Sequence, residues 1–78
     1  MTDTELDATG LLCPLPVLKL RKRLGALDAG AILTLRADDP AAIVDVPHFC
    51  AEAGHDLVET REDGAAQLYV VRKGTRQR

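Results

Sequence analysis

Residues 10–27 read Gly-Leu-Leu-Cys-Pro-Leu-Pro-Val-Leu-Lys-Leu-Arg-Lys-Arg-Leu-Gly-Ala-Leu. The run changes character at Cys13. After it, Val17, Leu20, Leu24 and Leu27 recur at spacings of three and four, one apolar stripe of an amphipathic helix, while Lys19, Lys22 and Arg23 fall away from that stripe. Pro14 suits the first helical position, where a missing N–H was unpaired anyway, and Pro16 still lies within the first turn. Cys13 is then expected at the N-cap. Gly25 weakens the helix interior by about 1 kcal/mol relative to alanine, and Asp28-Ala29-Gly30 ends the segment.

Outward from this helix the pattern alternates between strand and helix. Residues 5–8 (Glu-Leu-Asp-Ala) alternate as a short strand that Gly10 breaks, and residues 31–37 read as a buried strand. Asp38-Asp39-Pro40 is a cap-and-turn signature, with Asp39 as N-cap and Pro40 at the first helical position. Because Pro47 cannot lie inside a continuous helix without losing a bond, the pattern predicts a short turn at 40–44. A fresh helix capped by Asp45 then follows, with Val46, Phe49, Cys50 and Ala53 on one face and Gly54 as its stop. Residues 56–62 and 66–72 alternate on either side of Asp63-Gly64-Ala65, a hairpin. The order is β-α-β-α-β-β. It predicts an α+β two-layer sandwich, a four-stranded mixed sheet with both helices on one face. The loops at 9–13 and 38–40 leave the C-terminal ends of parallel strands, where open α/β sheets place their sites, and the 63–65 turn joins them if the third strand runs parallel to the first two. Residues 1–78 are read as a single domain with an ordered core of about 5–73, and Gly74 to Arg78 as a frayed tail.

Composition narrows the function classes. With 78 residues there is one small core and no disulfide framework or zinc-finger spacing to staple it. A net charge of −2, with Phe49 and Tyr69 as the two aromatics, argues against strong direct nucleic-acid binding. Neither a secretory signal nor a membrane span is read, and two cysteines fit free thiols in a reducing, cytoplasmic setting.

Chemistry concentrates at Cys13. Ser, Thr, Asp and Asn are the stabilising N-cap choices, so a cysteine there departs from structural preference. A helix N-terminus carries roughly half a positive charge, and the Leu15 amide is expected to donate to the sulfur, favouring a thiolate or any other sulfur anion. Pro14 and Pro16 remove competing donors and stiffen the backbone, with Gly10 and Leu15 completing the support. Leu15 should be exposed, with Leu11 and Leu12 in an apolar collar around the thiol. The basic run Lys19, Lys22 and Arg23, with Asp38 and Asp39 across the loop, forms a candidate docking patch for a partner. The alternative for Cys13 is an inert buried thiol, and Cys50 reads as such, beside Phe49 and Ala53. The set Cys13, His48, Cys50 and His55 matches no compact zinc site, and no C-x-x-C supplies a second thiol. The histidines read as ordinary polar residues at element boundaries.

The run Leu6-Asp7-Ala8-x-Gly10-Leu11-x-Cys13-Pro14-x-Pro16 resembles the start of the TusA/SirA-like sulfur-carrier family. The resemblance continues through Ala37-Asp38-Asp39-Pro40-Ala41, Asp45-Val46-Pro47-x-Phe49-Cys50 and Arg72-Lys73-Gly74. It implies the same two-layer sandwich, similar to the C-terminal domain of bacterial initiation factor three. It also implies a sulfurtransferase that acts stoichiometrically: Cys13 would accept sulfane sulfur as a persulfide from a cysteine desulfurase and relay it to an acceptor protein, ending in tRNA 2-thiouridine. Other branches of the family serve sulfur oxidation or molybdenum-cofactor biosynthesis. No cofactor or metal is implied, and a relay of this size is expected to act as a monomer. Close tRNA-thiolation members commonly carry an acidic residue between the two prolines, where this chain has Leu15. A noncatalytic RNA-binding or regulatory module and a thiol redox sensor are the competing classes.

Overall fold

The structure, a computed structural model, describes residues 3–75. Its elements are β1 (Asp3–Asp7), α1 (Leu15–Gly25), β2 (Ile32–Ala37), α2 (Ala42–Ala53), β3 (Asp56–Asp63) and β4 (Ala66–Arg72). This is the order expected, on a four-stranded sheet arranged β1-β2-β4-β3. β1 and β2 pair in parallel with Leu6 opposite Leu35, and β4 runs antiparallel to both β2 and β3. β3 therefore points the same way as β1 and β2, and the loops that follow all three strands open on one edge of the sheet.

Strand alternation decides which face the helices cover. In β2, Leu33, Leu35 and Ala37 are buried, while Ile32, Thr34 and Arg36 are half-buried on the other face. Tyr69 and Val71 of β4 lie opposite Leu35 and Leu33 and extend the same buried surface. Onto it α1 lays Pro16, Leu20 and Leu24, and α2 lays Ala42, Val46, Phe49 and Cys50. Val17 and Leu27 pack at the margin of this core, half-buried. The outer strand β3 keeps its edge almost entirely exposed and charged, through Glu59, Arg61, Glu62 and Asp63, and a bulge between Leu57 and Glu59 interrupts its ladder.

Three expectations change. Residues 40–44 are not a separate turn before a fresh helix: α2 runs unbroken from Ala42, with Pro47 inside it. The Asp39 carboxylate accepts the Ala41 amide at 3.2 Å, and the amides of Ala42, Ile43 and Val44 bond back to Asp39, Pro40 and Ala41. The helix is thus started early by tight first-turn bonds. Pro47 deprives the Ile43 carbonyl of a donor, but Ile43 is exposed and water can serve that carbonyl. The hairpin loop is two residues, Gly64-Ala65, since Asp63 pairs with Ala66. Gly64 has φ of 64° and Ala65 does not share it, the arrangement of a turn with glycine first. Gly54 does end α2, at φ of 82°. Gly74 is not frayed: its amide donates to His55 Nδ1 at 3.0 Å. Arg76, Gln77 and Arg78 lie outside the described residues.

Candidate functional site

The edge on which β1, β2 and β3 end is organised by three aspartates. After β1, Asp7 Oδ1 accepts both the Thr9 amide at 3.0 Å and the Thr9 hydroxyl at 2.7 Å, and these bonds hold its carboxyl below the usual range. Gly10 then takes φ of 83°, with open space where a Cβ would go, so its role is conformational. The loop is tied across the sheet edge to the loop after β2. Asp38 Oδ1 accepts the Gly10 amide at 2.9 Å, and Asp39 Oδ2 accepts the Cys13 amide at 2.5 Å. Ala41, and not Asp39 as expected, occupies the cap of α2, and Asp39 holds the turn before the helix with one oxygen and anchors the cysteine with the other. The two carboxylates expected to help form a docking patch are committed to loop amides.

Cys13 is not the helix cap. Pro14 occupies that position, after a cis Cys13–Pro14 peptide bond, and α1 begins at Leu15. The Leu15 amide donates to the Leu12 carbonyl at 2.8 Å, not to sulfur. The exposed thiol instead donates to Asp45 Oδ2 at 2.9 Å, in the first turn of α2. This reverses the expected electrostatics. The Asp45 hydrogen bond, then partial loss of solvent and the charges of Asp45 and Asp39, push the Cys13 thiol above its ordinary pKa. A helix terminus one residue farther along does not outweigh a carboxylate in contact. Cys50, by contrast, is buried as expected, and burial, reinforced by Asp56, pushes its thiol up to about 11.

Beside Cys13 a groove of about 400 Å³ runs between α1 and α2, floored by Val17 and Phe49 and flanked by Arg21, Asp45, His48 and Glu52. The Arg21 guanidinium stands 5.6 Å from the centre of the Phe49 ring, a cation–π contact. Lys19, Lys22 and Arg23 are exposed and do not line this groove. Leu12, Leu15 and Leu18 are exposed around the start of α1, whereas Leu11 packs against the core and leaves the collar. Pro14 is exposed and Pro16 is buried. Sequence reasoning missed Asp45 and Leu18 as neighbours of the site. Asp45 was legible as a helix-starting residue, but nothing local to it signals a thiol 32 residues away in sequence. His48 sits mid-helix, 3.8 Å from Glu52, and His55 lies between α2 and β3. Among the described residues no three His, Cys, Asp or Glu side chains converge as metal ligands, and no helix is long and apolar enough to cross a membrane.

Residues 4–73 match the protein family described as Sulfurtransferase TusA. The chain belongs to the TusA family of sulfurtransferases. It is 45% identical over 71 residues to the sulfur carrier protein TusA of Pseudomonas entomophila, covering 91% of this chain and 89% of that one. With the TusA of Allochromatium vinosum it shares 39% identity, over 91% and 93% of the two chains. The crystal structure of a SirA-like protein from Desulfitobacterium hafniense superimposes with a TM-score of 0.80 at 25% identity, covering 91% of this chain and 97% of that one. The fold neighbour carries the same sandwich.

Proposed function

We propose that this chain is a sulfur relay: Cys13 accepts sulfane sulfur as a persulfide from a cysteine desulfurase and hands it to an acceptor protein in the cytoplasm. The observation that carries the reading is the exposure of Cys13 on a loop clamped by Asp38 and Asp39 at the edge where three strands end. A carrier needs its sulfur accessible and fixed in direction, and a thiol on a tethered loop has both properties. In the step proposed, the Cys13 sulfur attacks the terminal sulfur of the donor's persulfide. A new sulfur–sulfur bond forms, the donor's breaks, and its electron pair leaves with the donor as a thiolate. The Cys13 proton passes to solvent or the donor, so no external oxidant or reductant is consumed. Exposed Leu12, Leu15 and Leu18 beside the thiol give a partner an apolar surface to cover, and Lys19, Lys22 and Arg23 add positive charge to the solvent side of the same helix. The relay acts as a monomer, and the final product is 2-thiouridine in tRNA.

Incubation with a cysteine desulfurase and cysteine, followed by mass spectrometry of the intact chain, is expected to show gain of one sulfur atom. Cys13→Ser should lose the gain and Cys50→Ser should retain it. Loading of Cys13→Ser to the wild-type extent would reject the assignment. A strain lacking this protein is expected to lose 2-thiouridine from its tRNA; unchanged tRNA would send the sulfur to another acceptor.

A further inference from the structure

We infer that Asp45 is a positioning residue that makes the direction of the Cys13 sulfur depend on its load, holding the empty thiol against the first turn of α2 and turning the loaded persulfide away from it. The inference rests on the relay reading above and deepens it. Its ground is geometric. The Cys13 Sγ–H donates to Asp45 Oδ2 at 2.9 Å, across the gap between the loop before α1 and the first turn of α2. Both oxygens of Asp39, the nearest other carboxylate, are already engaged, by the Cys13 and Ala41 amides. A carboxyl is ordinarily a far stronger acid than a thiol, so the proton in the contact with Asp45 belongs to the sulfur, and the contact exists only while sulfur has a proton to donate.

Loading removes that condition. A persulfide is a stronger acid than the thiol it replaces, so the added sulfur is carried as an anion near neutral pH. An anion cannot donate to a carboxylate, and two negative groups at hydrogen-bond distance repel. The sulfane sulfur must then turn away from Asp45. The charged groups facing it are Asp39 and Asp45 on one side, with Arg21 of α1 and the His48–Glu52 pair of α2 along the groove. Arg21 is the permanent cation among these groove-lining groups, so the anion's favourable direction is along the groove, away from α2's first turn, where a partner can reach it. The same contact disfavours the thiolate and so slows reaction with adventitious electrophiles between loads, and a docked donor loads the sulfur by drawing it off Asp45. A carrier that is quiet when empty and presented when full needs no conformational change of its backbone to distinguish the two states.

The test separates this inference from the relay reading by using the empty protein first. Peptide-resolved alkylation of Cys13 by iodoacetamide is followed across pH. Asp45→Asn keeps the size and removes the charge, so the profile should move to lower pH. For a one-unit shift the thiolate fraction at neutral pH rises roughly ten-fold while each thiolate becomes about three-fold less nucleophilic, a net gain of about three-fold in rate. Asp45→Glu should return the profile toward wild type, and Glu59→Gln, on β3 and outside the groove, should leave it in place. In protein loaded by a desulfurase, wild type and Asp45→Asn should be alkylated at the terminal sulfur at nearly equal rates. Superimposable profiles for empty wild type and Asp45→Asn would overturn the inference, as would an equal acceleration of loaded and empty protein. Failure of Cys13 to load at all would reject the relay reading, whatever the empty-state profiles show.

Discussion

Gly74→Ala is expected to remove a large share of the stability of this protein. A Cβ on Gly74 would lie 1.8 Å from the carbonyl oxygen of Gly54 and 2.8 Å from its carbonyl carbon. Both are backbone atoms, and Gly54 is itself fixed at φ of 82° in the turn that closes α2. No side chain can swing aside. Overpacking against movable side chains costs about 1–3 kcal/mol, so a clash between main chains should cost at least about 3 kcal/mol. A chain of this length has on the order of 4–12 kcal/mol in total. Urea unfolding should place the Gly74→Ala midpoint far below wild type, with part of the protein unfolded in buffer. Gly10→Ala, where only the positive φ is at stake, should lose about 1–2 kcal/mol. A Gly74→Ala midpoint as high as that of Gly10→Ala would mean that β4 does not approach the end of α2 this closely.

The same junction gives stability a pH dependence whose sign can be stated. The Gly74 amide donates to His55 Nδ1, which therefore has to be unprotonated. Burial, then the charge of Lys73, lower the pKa of His55, with Asp56 opposing. A depressed folded value means that the unfolded chain binds the proton more readily. The contribution is complete above the unfolded imidazole pKa of about 6.5 and is lost as pH falls from there toward the lower folded value. The urea midpoint should decline over that window in wild type and stay flatter in His55→Gln.

How much of this was legible in the sequence depended on the range of the interaction involved. Apolar spacing at Leu20 and Leu24, alternation through Leu33 and Leu35, and the glycines at 54 and 64 are local signals, and each of them ends in the element it predicted. Pro47 misled because local reasoning treats a lost hydrogen bond as decisive. An exposed helix face, where the orphaned carbonyl can turn to water, tolerates it. The site was legible in position and not in electrostatics. Cys13 stands exposed beside a helix start, as the two prolines suggested. Its actual electrostatic partner is Asp45, brought to it by the packing of α2 onto the sheet. Asp38 and Asp39 show the same limit, since a cap signature says what a carboxylate does for its own helix and nothing about an amide on another loop. Long-range polar contacts of this kind have no period to read.

Lys73 is the clearest case of that limit, and its replacement is the second large effect expected. In sequence it belongs to a basic tail, yet it is buried to 6% exposure, with Nζ donating to the carbonyls of Leu24 at 2.6 Å and Leu27 at 2.9 Å. These carbonyls belong to the last turn of α1 and the residues just after it, where helical acceptors run out of intrahelical donors. The ammonium from β4's end therefore closes α1 at the point where the negative end of the helix dipole also favours a cation. Lys73→Met keeps the stem in the core and deletes both charge-assisted bonds. Each such bond has a net worth of about 1.5–3 kcal/mol, and deleting the ammonium also removes the cost of burying its charge, so a net loss of about 2–4 kcal/mol is expected. Lys73→Arg should recover part of it. The thiol lies at the opposite end of α1, held by Asp39 and Asp45, and neither contact involves Lys73. Below its lowered unfolding midpoint, Lys73→Met should thus take up one sulfur per chain as wild type does. A midpoint unchanged by Lys73→Met would show that the ammonium is not what closes the helix. A folded Lys73→Met that no longer loads would show that the two ends of α1 are coupled and do not act separately.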